Sequence, residues 1–168
     1  MDRKSEWDKL TQQALELYQE GEHDRAIEVA GHALAYAEEA FGGNHPSVAT
    51  SLSNLALFYV DRKHYDDAEP LYQRALEMIE RALGPDHPHV ATAVNNLALL
   101  LSLQGRHEEA EALYARSLSI LEKALGPDHY LVARPLRNMA ELYEKTNRQE
   151  KAAEYTARAE KIEAGQEG

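Results

Sequence analysis

A 42-residue internal repeat constrains the fold of this 168-residue chain more than any other sequence feature. Residues 84–87 read Gly-Pro-Asp-His, and residues 126–129, which lie 42 positions later, repeat these four residues. A degraded copy, Gly-Gly-Asn-His, occupies residues 42–45. A fixed period of this length is typical of stacked structural repeats, because each unit buries its apolar face only against its neighbours. We therefore predict one array over residues 1–163, with units at about 7–45, 46–87, 88–129 and 130–163, and a polar tail at 164–168.

Three columns of small or aliphatic residues keep the same step along the chain. Alanine at a helix crossing lets two helices approach within about 8–10 Å, so alanine that recurs at a fixed step marks close helix contacts. The first column contains Ala14, Ala56, Ala98 and Ala140, the second contains Ala26, Ala68, Ala110 and Ala152, and the third contains Leu10, Leu52, Val94 and Leu136.

Each unit has the pattern of two helices joined by a short turn. In the second unit, apolar residues recur at helical spacing in 52–59 and 68–79, and polar residues at 61–64 separate the two segments. Gly84 suits the left-handed residue that follows a helix, and Asp86 is placed to cap the next helix. No segment has the pattern of a strand, so we predict an all-α fold.

The two alanine columns match the small-residue positions of the tetratricopeptide repeat. The period of 42 and the segments LGPDHPHVATAVNNLALL and AEPLYQRALEMIERALGPDHP resemble the kinesin light chain subgroup of that family. The resemblance covers about 7–163 and implies a right-handed α-solenoid of four helix-turn-helix repeats. It also implies a non-enzymatic protein–protein interaction scaffold. The chain shows no sustained heptad pattern, so attachment to a motor is not implied.

Composition excludes several classes of partner. The chain carries 29 acidic and 18 basic side chains, for a formal net charge of -11, which argues against nucleic acid and against an acidic membrane surface as binding partners. The N-terminus has no apolar signal segment and no apolar run approaches 18 residues, so we expect a soluble, cytoplasmic protein. Most of the acidic residues lie on the second helices, which we predict to be ordinary solvated outer surfaces, whereas the first helix of the third unit, 88–103, has no charged residue.

The first helices of such an array line its concave surface, so we expect a peptide-binding groove there. An exposed strip with leucine beside asparagine offers apolar burial for affinity and amide groups that bind a peptide backbone. The candidate residues are Ser53, Asn54, Leu57 and Val60 in the second unit, and Asn95, Asn96, Leu99 and Leu103 in the third, with Asp61 and Ser102 on the same faces.

Three asparagines, Asn54, Asn96 and Asn138, recur in register at the middle of the first helices. Asparagine is a mediocre helix former, so this column requires an explanation. One explanation is ligand binding, since an amide matches both the N–H and the carbonyl of a peptide bond; the resemblance also places the equivalent asparagines in the ligand groove. The alternative is that each amide bonds the adjacent repeat and orients the stack.

The fourth unit differs from the others by two arginines, Arg134 and Arg137, on its first helix. They could bind a carboxylate of the partner, or Arg137 could pair with Glu141, its i,i+4 neighbour. The carboxylate clamp of chaperone-binding tetratricopeptide domains is not predicted, because only Asn54 fits its pattern. Pro135 lies where a helix interior is expected and would remove a backbone donor, so we predict that this helix starts late.

The sequence predicts neither a catalytic site nor a cofactor or metal site. His45, His87 and His129 recur at the period, but each belongs to a different repeat, so they are predicted to cap helices or pack in loops rather than to share a metal.

From the groove residues and the two arginines, we predict a monomer or weak homo-oligomer that binds a protein or peptide segment with apolar anchors and an acidic residue. A self-associating assembly module, which would use the same groove or an end face, is the alternative.

Overall fold

The computed structural model describes residues 3–165 and contains eight α-helices and no strand within that range. The all-α prediction and the pattern of two helices in each repeat are therefore confirmed. The helices are α1 (Arg3–Gln19), α2 (His23–Phe41), α3 (Pro46–Asp61), α4 (Tyr65–Leu83), α5 (Pro88–Leu103), α6 (His107–Leu125), α7 (Tyr130–Lys145) and α8 (Gln149–Ala164).

The chain divides into two compact units, Met1–Ile79 and Glu80–Gly168, with the boundary inside α4. The first and second units are these two parts of the chain, and each 42-residue segment is called a repeat. The predicted repeat boundaries fall within a few residues of the helix ends, except that α1 already includes Arg3. Of the predicted polar tail, Ala164 is the last residue of α8, and residues 166–168 lie outside the described part of the chain.

In the first unit, α1, α2 and α3 enclose two apolar clusters. One joins Ala14, Leu17 and Ala26 to Leu55 and Phe58, and the other includes Val48 and Leu52 of α3 with residues of α2 and α4. Trp7 packs against the second cluster and donates a hydrogen bond from Nε1 to Ser51 Oγ at 2.8 Å. Ala14, Ala26 and Leu52, which stand at the predicted column positions, thus lie in the helix contacts of this unit.

In the second unit, α5 packs on α6 and α7 packs on α8, while α7 also contacts α5 and α6. The alanine columns are buried throughout the chain, as predicted. The exposed fraction is 5% or less for Ala14, Ala56, Ala98 and Ala140 and for Ala26, Ala68, Ala110 and Ala152.

Histidine, not aspartate, caps the helices that follow the repeated turns. Gly84 and Gly126 have φ angles of 87° and 96°, which a side chain would strain. The next helix begins after His87, whose Nδ1 accepts a hydrogen bond from the backbone N–H of His89 at 3.1 Å. His45 and His129 cap α3 and α7 in the same way. The prediction that Asp86 is the cap is therefore wrong, because the extended cap residue is one position later, whereas the prediction that the three repeated histidines cap helices or pack in loops is confirmed.

The predicted late start of α7 is also wrong. The helix begins at Tyr130, and Pro135 lies inside it, fully buried. Pro135 has no N–H to donate to the carbonyl oxygen of Leu131, so α7 lacks one backbone hydrogen bond near its start. Pro70 occupies the same position in α4.

Regularly spaced ion pairs join second helices of neighbouring repeats. In the first unit, Arg74 of α4 contacts Glu38 of α2 at 2.6 Å. In the second unit, Arg116 of α6 pairs with Glu80, and Arg158 of α8 pairs with Glu122 of α6. The prediction of ordinary solvated surfaces is therefore wrong for Glu80, because its carboxylate is bonded to the next helix.

Candidate peptide-binding site

In the first unit, the candidate residues lie on α3. Leu57 is 40% exposed and Asn54 is half-buried beside it. Ser53 donates from Oγ to the carbonyl oxygen of Ala49 within its own helix, at 3.0 Å. The prediction that Val60 lies on the groove surface is wrong, because only 8% of it is exposed. Val60 lies one turn after Ala56 and so shares the buried side of the helix.

In the second unit, amides tie α5 to α7. The Asn138 Nδ2 donates to Asn95 Oδ1 at 3.0 Å, and Arg134 Nη2 donates to Asn96 Oδ1 at 3.0 Å. Asn95 is only 2% exposed, because α7 covers it. The expectation that Asn95 lies on an open groove surface is therefore wrong, as it is for buried Ser102.

The three asparagines of the column have two different environments. Asn96 and Asn138 bond residues of the adjacent repeat, as the structural alternative predicted. Asn54 makes no side-chain hydrogen bond within residues 3–165, although its side chain is only half-buried. One column of identical residues therefore contains two amides that orient neighbouring helices and one whose donors and acceptor are available to a ligand or water.

Leucines of α5 form the apolar part of the candidate surface. Leu103 is 39% exposed, and Leu99, one turn earlier, is half-buried. Asn96, Leu99 and Leu103 stand three and then four residues apart, so they lie on the same face of α5. No Asp, Glu, Lys or Arg stands in α5, so this face has no charge of its own.

The two arginines of α7 have different partners. Arg134 forms no ion pair within the described range and uses one donor on Asn96. Arg137 pairs with Glu163 of α8, with its Nε donating to Oε1 at 2.9 Å. The alternative pairing with Glu141 is wrong, since Glu141 contacts Lys145 Nζ at 2.6 Å. The hydrogen bond from Arg137 holds the pKa of the Glu163 carboxyl below its usual value.

These arginines line an open hollow of about 630 Å³ between α7 and α8. Tyr130, at the edge of the hollow, is 57% exposed, and Leu131 beside it is also exposed. Sequence reasoning missed Tyr130 and Glu163 as site residues. Tyr130 replaces the proline found at positions 46 and 88, and this departure from the repeat was the available signal. The remaining lining residues are Ala133, Asn138 and Ile162.

Other kinds of site find little support in the part of the chain that is described. Among residues 3–165, no three His, Asp or Glu side chains lie close enough to hold a metal ion. No helix in that range is long and apolar enough to span a membrane.

Comparisons with known proteins agree with this architecture. The family model for the tetratricopeptide repeat matches residues 9–79, 47–123 and 89–162. BtubC (BKLC) from P. vanneervenii is 25% identical, with a TM-score of 0.86 over 100% of this chain and 67% of that one. The nearly identical TPR-like repeats of a Podosopora anserina protein, named for the kinesin light chain, are 17% identical, with a TM-score of 0.64 over 99% of each chain.

A third structure shares the fold over part of its length. Aspartyl phosphate phosphatase F from Bacillus subtilis is 20% identical, with a TM-score of 0.81 over 98% of this chain and 42% of that one. At such an identity the likeness concerns the fold alone. Comparison with curated proteins finds no match to this chain. The solved structures confirm the predicted helical solenoid.

Proposed function

This chain belongs to the tetratricopeptide repeat family, whose arrays are protein–protein interaction scaffolds, and from that premise we propose that it binds an extended or partly helical segment of a partner on its first helices. The family is typically non-catalytic. The resemblance to the kinesin light chain subgroup, expected from the period of 42, agrees with the repeats of the Podosopora anserina structure.

The observation that carries the proposal is the exposed apolar face of α5. Leu103 remains 39% exposed on a helix that has no charged side chain. A helix that is apolar on most sides needs more than one packing partner, and Leu103 stays exposed although α5 packs on α6 and contacts α7. Leu103 and the half-buried Leu99 therefore suit an apolar anchor of a partner, and Leu57 of α3, which is 40% exposed, stands 42 positions before Leu99.

Each compact unit has polar groups on its first helices that would orient a partner. In the first unit, Asn54 makes no side-chain hydrogen bond among the described residues, and in the second, Arg134 keeps donors beyond the one that bonds Asn96. An arginine with unused donors binds a carboxylate in a defined geometry. The proposed ligand is therefore a segment with leucine-like anchors and one acidic residue, bound with about micromolar affinity because a short peptide loses its conformational freedom.

A peptide-display selection against the full chain, followed by calorimetry, tests the proposal. Selected sequences should be enriched in apolar and acidic residues. Leu103→Ser should weaken a selected peptide roughly tenfold to a hundredfold, as expected when a buried leucine contact is lost. Leu125→Ser is the matched control, because Leu125 is similarly exposed, at 36%, at the end of α6. The proposal fails if both substitutions have the same effect, or if no peptide is selected.

Light scattering on the same preparation separates partner binding from self-association. A mass that is independent of concentration is expected, since the proposal leaves the α5 face open to a foreign ligand. If the mass instead rises with concentration and Leu103→Ser restores the monomer, the face joins copies of this chain, and the proposed function is wrong.

A further inference from the structure

Arg137 and Glu163 form an ion pair with two hydrogen bonds in the lining of the α7–α8 hollow. The guanidinium Nε donates to one carboxylate oxygen of Glu163 at 2.9 Å, and Nη2 donates to the other oxygen. Two parallel bonds are the geometry in which arginine binds a carboxylate from any source. The hollow thus already contains a carboxylate, supplied by the chain itself.

The stability of α8 does not explain an acidic residue at this position. Glu163 lies in the last turn of the helix, which ends at Ala164. A negative charge at a helix C-terminus is unfavourable, because the final carbonyl groups carry partial negative charge. Ile162, which is buried, holds the same turn in place. The carboxylate of Glu163 therefore finds its favourable interaction in Arg137 and not in its own helix.

The preceding repeat shows how this face behaves when a helix covers it. Asn95 and Leu121 occupy the positions 42 residues before Arg137 and Glu163, and both are buried where α7 packs against α5 and α6. Within residues 3–165 no helix covers the corresponding face of α7 and α8, which stays open as the hollow. At the positions of an amide and a leucine in the preceding repeat, this face has an ion pair.

The lining of the hollow favours a second carboxylate. It carries two arginines and one glutamate, and Arg134 has no ion pair within the described range. Glu160 also acts electrostatically on Arg137 from outside the lining, which leaves Arg134 as the arginine most available to an anion. Arg134 and Arg137 are one helical turn apart, so both guanidinium groups can reach one bound group. An anionic ligand at this point would satisfy Arg134 and compete with Glu163 for Arg137.

We propose that the α7–α8 hollow is a carboxylate-binding site that Glu163 occupies in the free protein, and that an acidic residue of the partner binds by displacing Glu163. The proposal rests on the proposed function and adds regulation to it, because the chain's own carboxylate competes with the ligand. It makes Glu163 a determinant of affinity even though Glu163 does not itself contact the bound partner's carboxylate.

Titration with glutarate tests the carboxylate site without any partner. The Nε–Hε signal of Arg137 is followed by NMR at low ionic strength in the unmodified chain, in Glu163→Gln and in Glu122→Gln. Glutarate should bind Glu163→Gln about two- to fivefold more tightly than the unmodified chain, the range that the loss of one exposed ion pair allows. Glu122→Gln is the matched control: it makes the same change in net charge and removes the carboxylate bonded to Arg158, outside the hollow.

Equal glutarate affinity in Glu163→Gln and the unmodified chain would overturn the proposal, as would an equal gain in Glu122→Gln. A pair of labelled peptides, Gly-Leu-Ser-Glu-Ser-Leu-Gly and its Gln analogue, tests the proposed function separately. Glu163→Gln should tighten the Glu peptide by a similar factor and leave the Gln peptide unchanged. If glutarate responds as expected but neither peptide binds, this class of ligand is wrong for the groove while the carboxylate site stands.

Discussion

Helices α3 and α5 are the same element of the repeat, 42 residues apart, yet their inner faces differ in what they bond. On α3, Ser53 bonds its own helix and Asn54 has no side-chain hydrogen bond within the described residues. On α5, Asn95 and Asn96 bond Asn138 and Arg134 of α7. The asparagine that the two helices share is thus unused in one and part of a helix contact in the other. Position in a repeat fixes where a side chain lies, and the neighbouring repeat decides what that side chain does.

The largest expected effect concerns the buried sides of the two helices, which should behave alike. Ala56 and Ala98 are both fully buried at helix contacts. Ala56→Leu and Ala98→Leu should each cost about 1–3 kcal/mol, because a larger side chain forces neighbouring helices apart. Urea denaturation measures the loss, with Ala112→Leu on the exposed side of α6 as control. If only one variant loses stability, the two helices differ in their packing as well as in their polar faces.

The sharpest test of the difference is the asparagine series. Asn138→Ala should cost about 1–3 kcal/mol, since it leaves the buried oxygen of Asn95 without a donor. Asn95→Ala should cost less, because the buried Asn95 Nδ2 already lacks a hydrogen-bond partner among the described residues. Asn54→Ala should be neutral or raise stability by several tenths of a kcal/mol, since alanine is the better helix former.

Thermal denaturation and peptide affinity, measured on the same preparation, check this series. Asn54→Ala should weaken a selected peptide by about 0.5–1.5 kcal/mol, the contribution of one hydrogen bond. If Asn54→Ala lowers the thermal midpoint as much as Asn138→Ala does, the two helices have equivalent amides and the comparison fails.

Removal of the histidine cap should lower the free energy of unfolding by the same amount in α3 and in α5. His45→Ala and His87→Ala should each lower stability by about 1 kcal/mol, because the first turn loses a side-chain acceptor. His45→Asn and His87→Asn should recover most of the loss, since asparagine also caps helix N-termini. Chemical denaturation of the four variants gives the values. Unequal costs for the two alanine variants would mean that the difference between α3 and α5 extends to their first turns.

The smallest expected effect belongs to the ion pairs of the second helices. Glu38→Gln in the first unit and Glu80→Gln in the second should each cost less than about 1 kcal/mol, because both pairs are partly exposed. The loss should shrink further in 1 M salt, where the charges are screened over about 3 Å. A loss that does not depend on salt would show that these side chains stabilise the repeats by packing and not by charge.

The repeat predicted nearly all of the fold, because a period of 42 and buried alanines describe backbone geometry that every unit shares. The details it missed come from competition between neighbours in sequence. Asp86 and His87 are both plausible caps, and only the backbone conformation decides between them. Pro135 predicted a late helix start because a helix interior usually keeps every N–H bonded, but α7 continues through it with one backbone bond missing, as α4 does at Pro70.

The candidate site was less predictable for a different reason. Leu57, Leu103 and Arg134 were correctly expected at the surface, because helical spacing places them away from the alanine columns. The burial of Asn95 depends on a contact 43 residues away in sequence, and the partner of Arg137 is 26 residues away. Such contacts depend on which surface of one repeat is buried by the next repeat. Helical periodicity within a single repeat does not predict that surface.

The ion pairs of the second unit also bear on how such a chain could lengthen. Arg116 and Glu122 belong to the same repeat. Arg116 pairs with Glu80 of the preceding repeat, and Glu122 pairs with Arg158 of the following repeat, so this 42-residue segment contributes one residue to each of its two ion pairs. A tandem duplication of residues 88–129 would therefore supply the copy with a glutamate behind it and an arginine ahead of it, without any further substitution. Growth of the gene by whole repeats would therefore preserve these contacts.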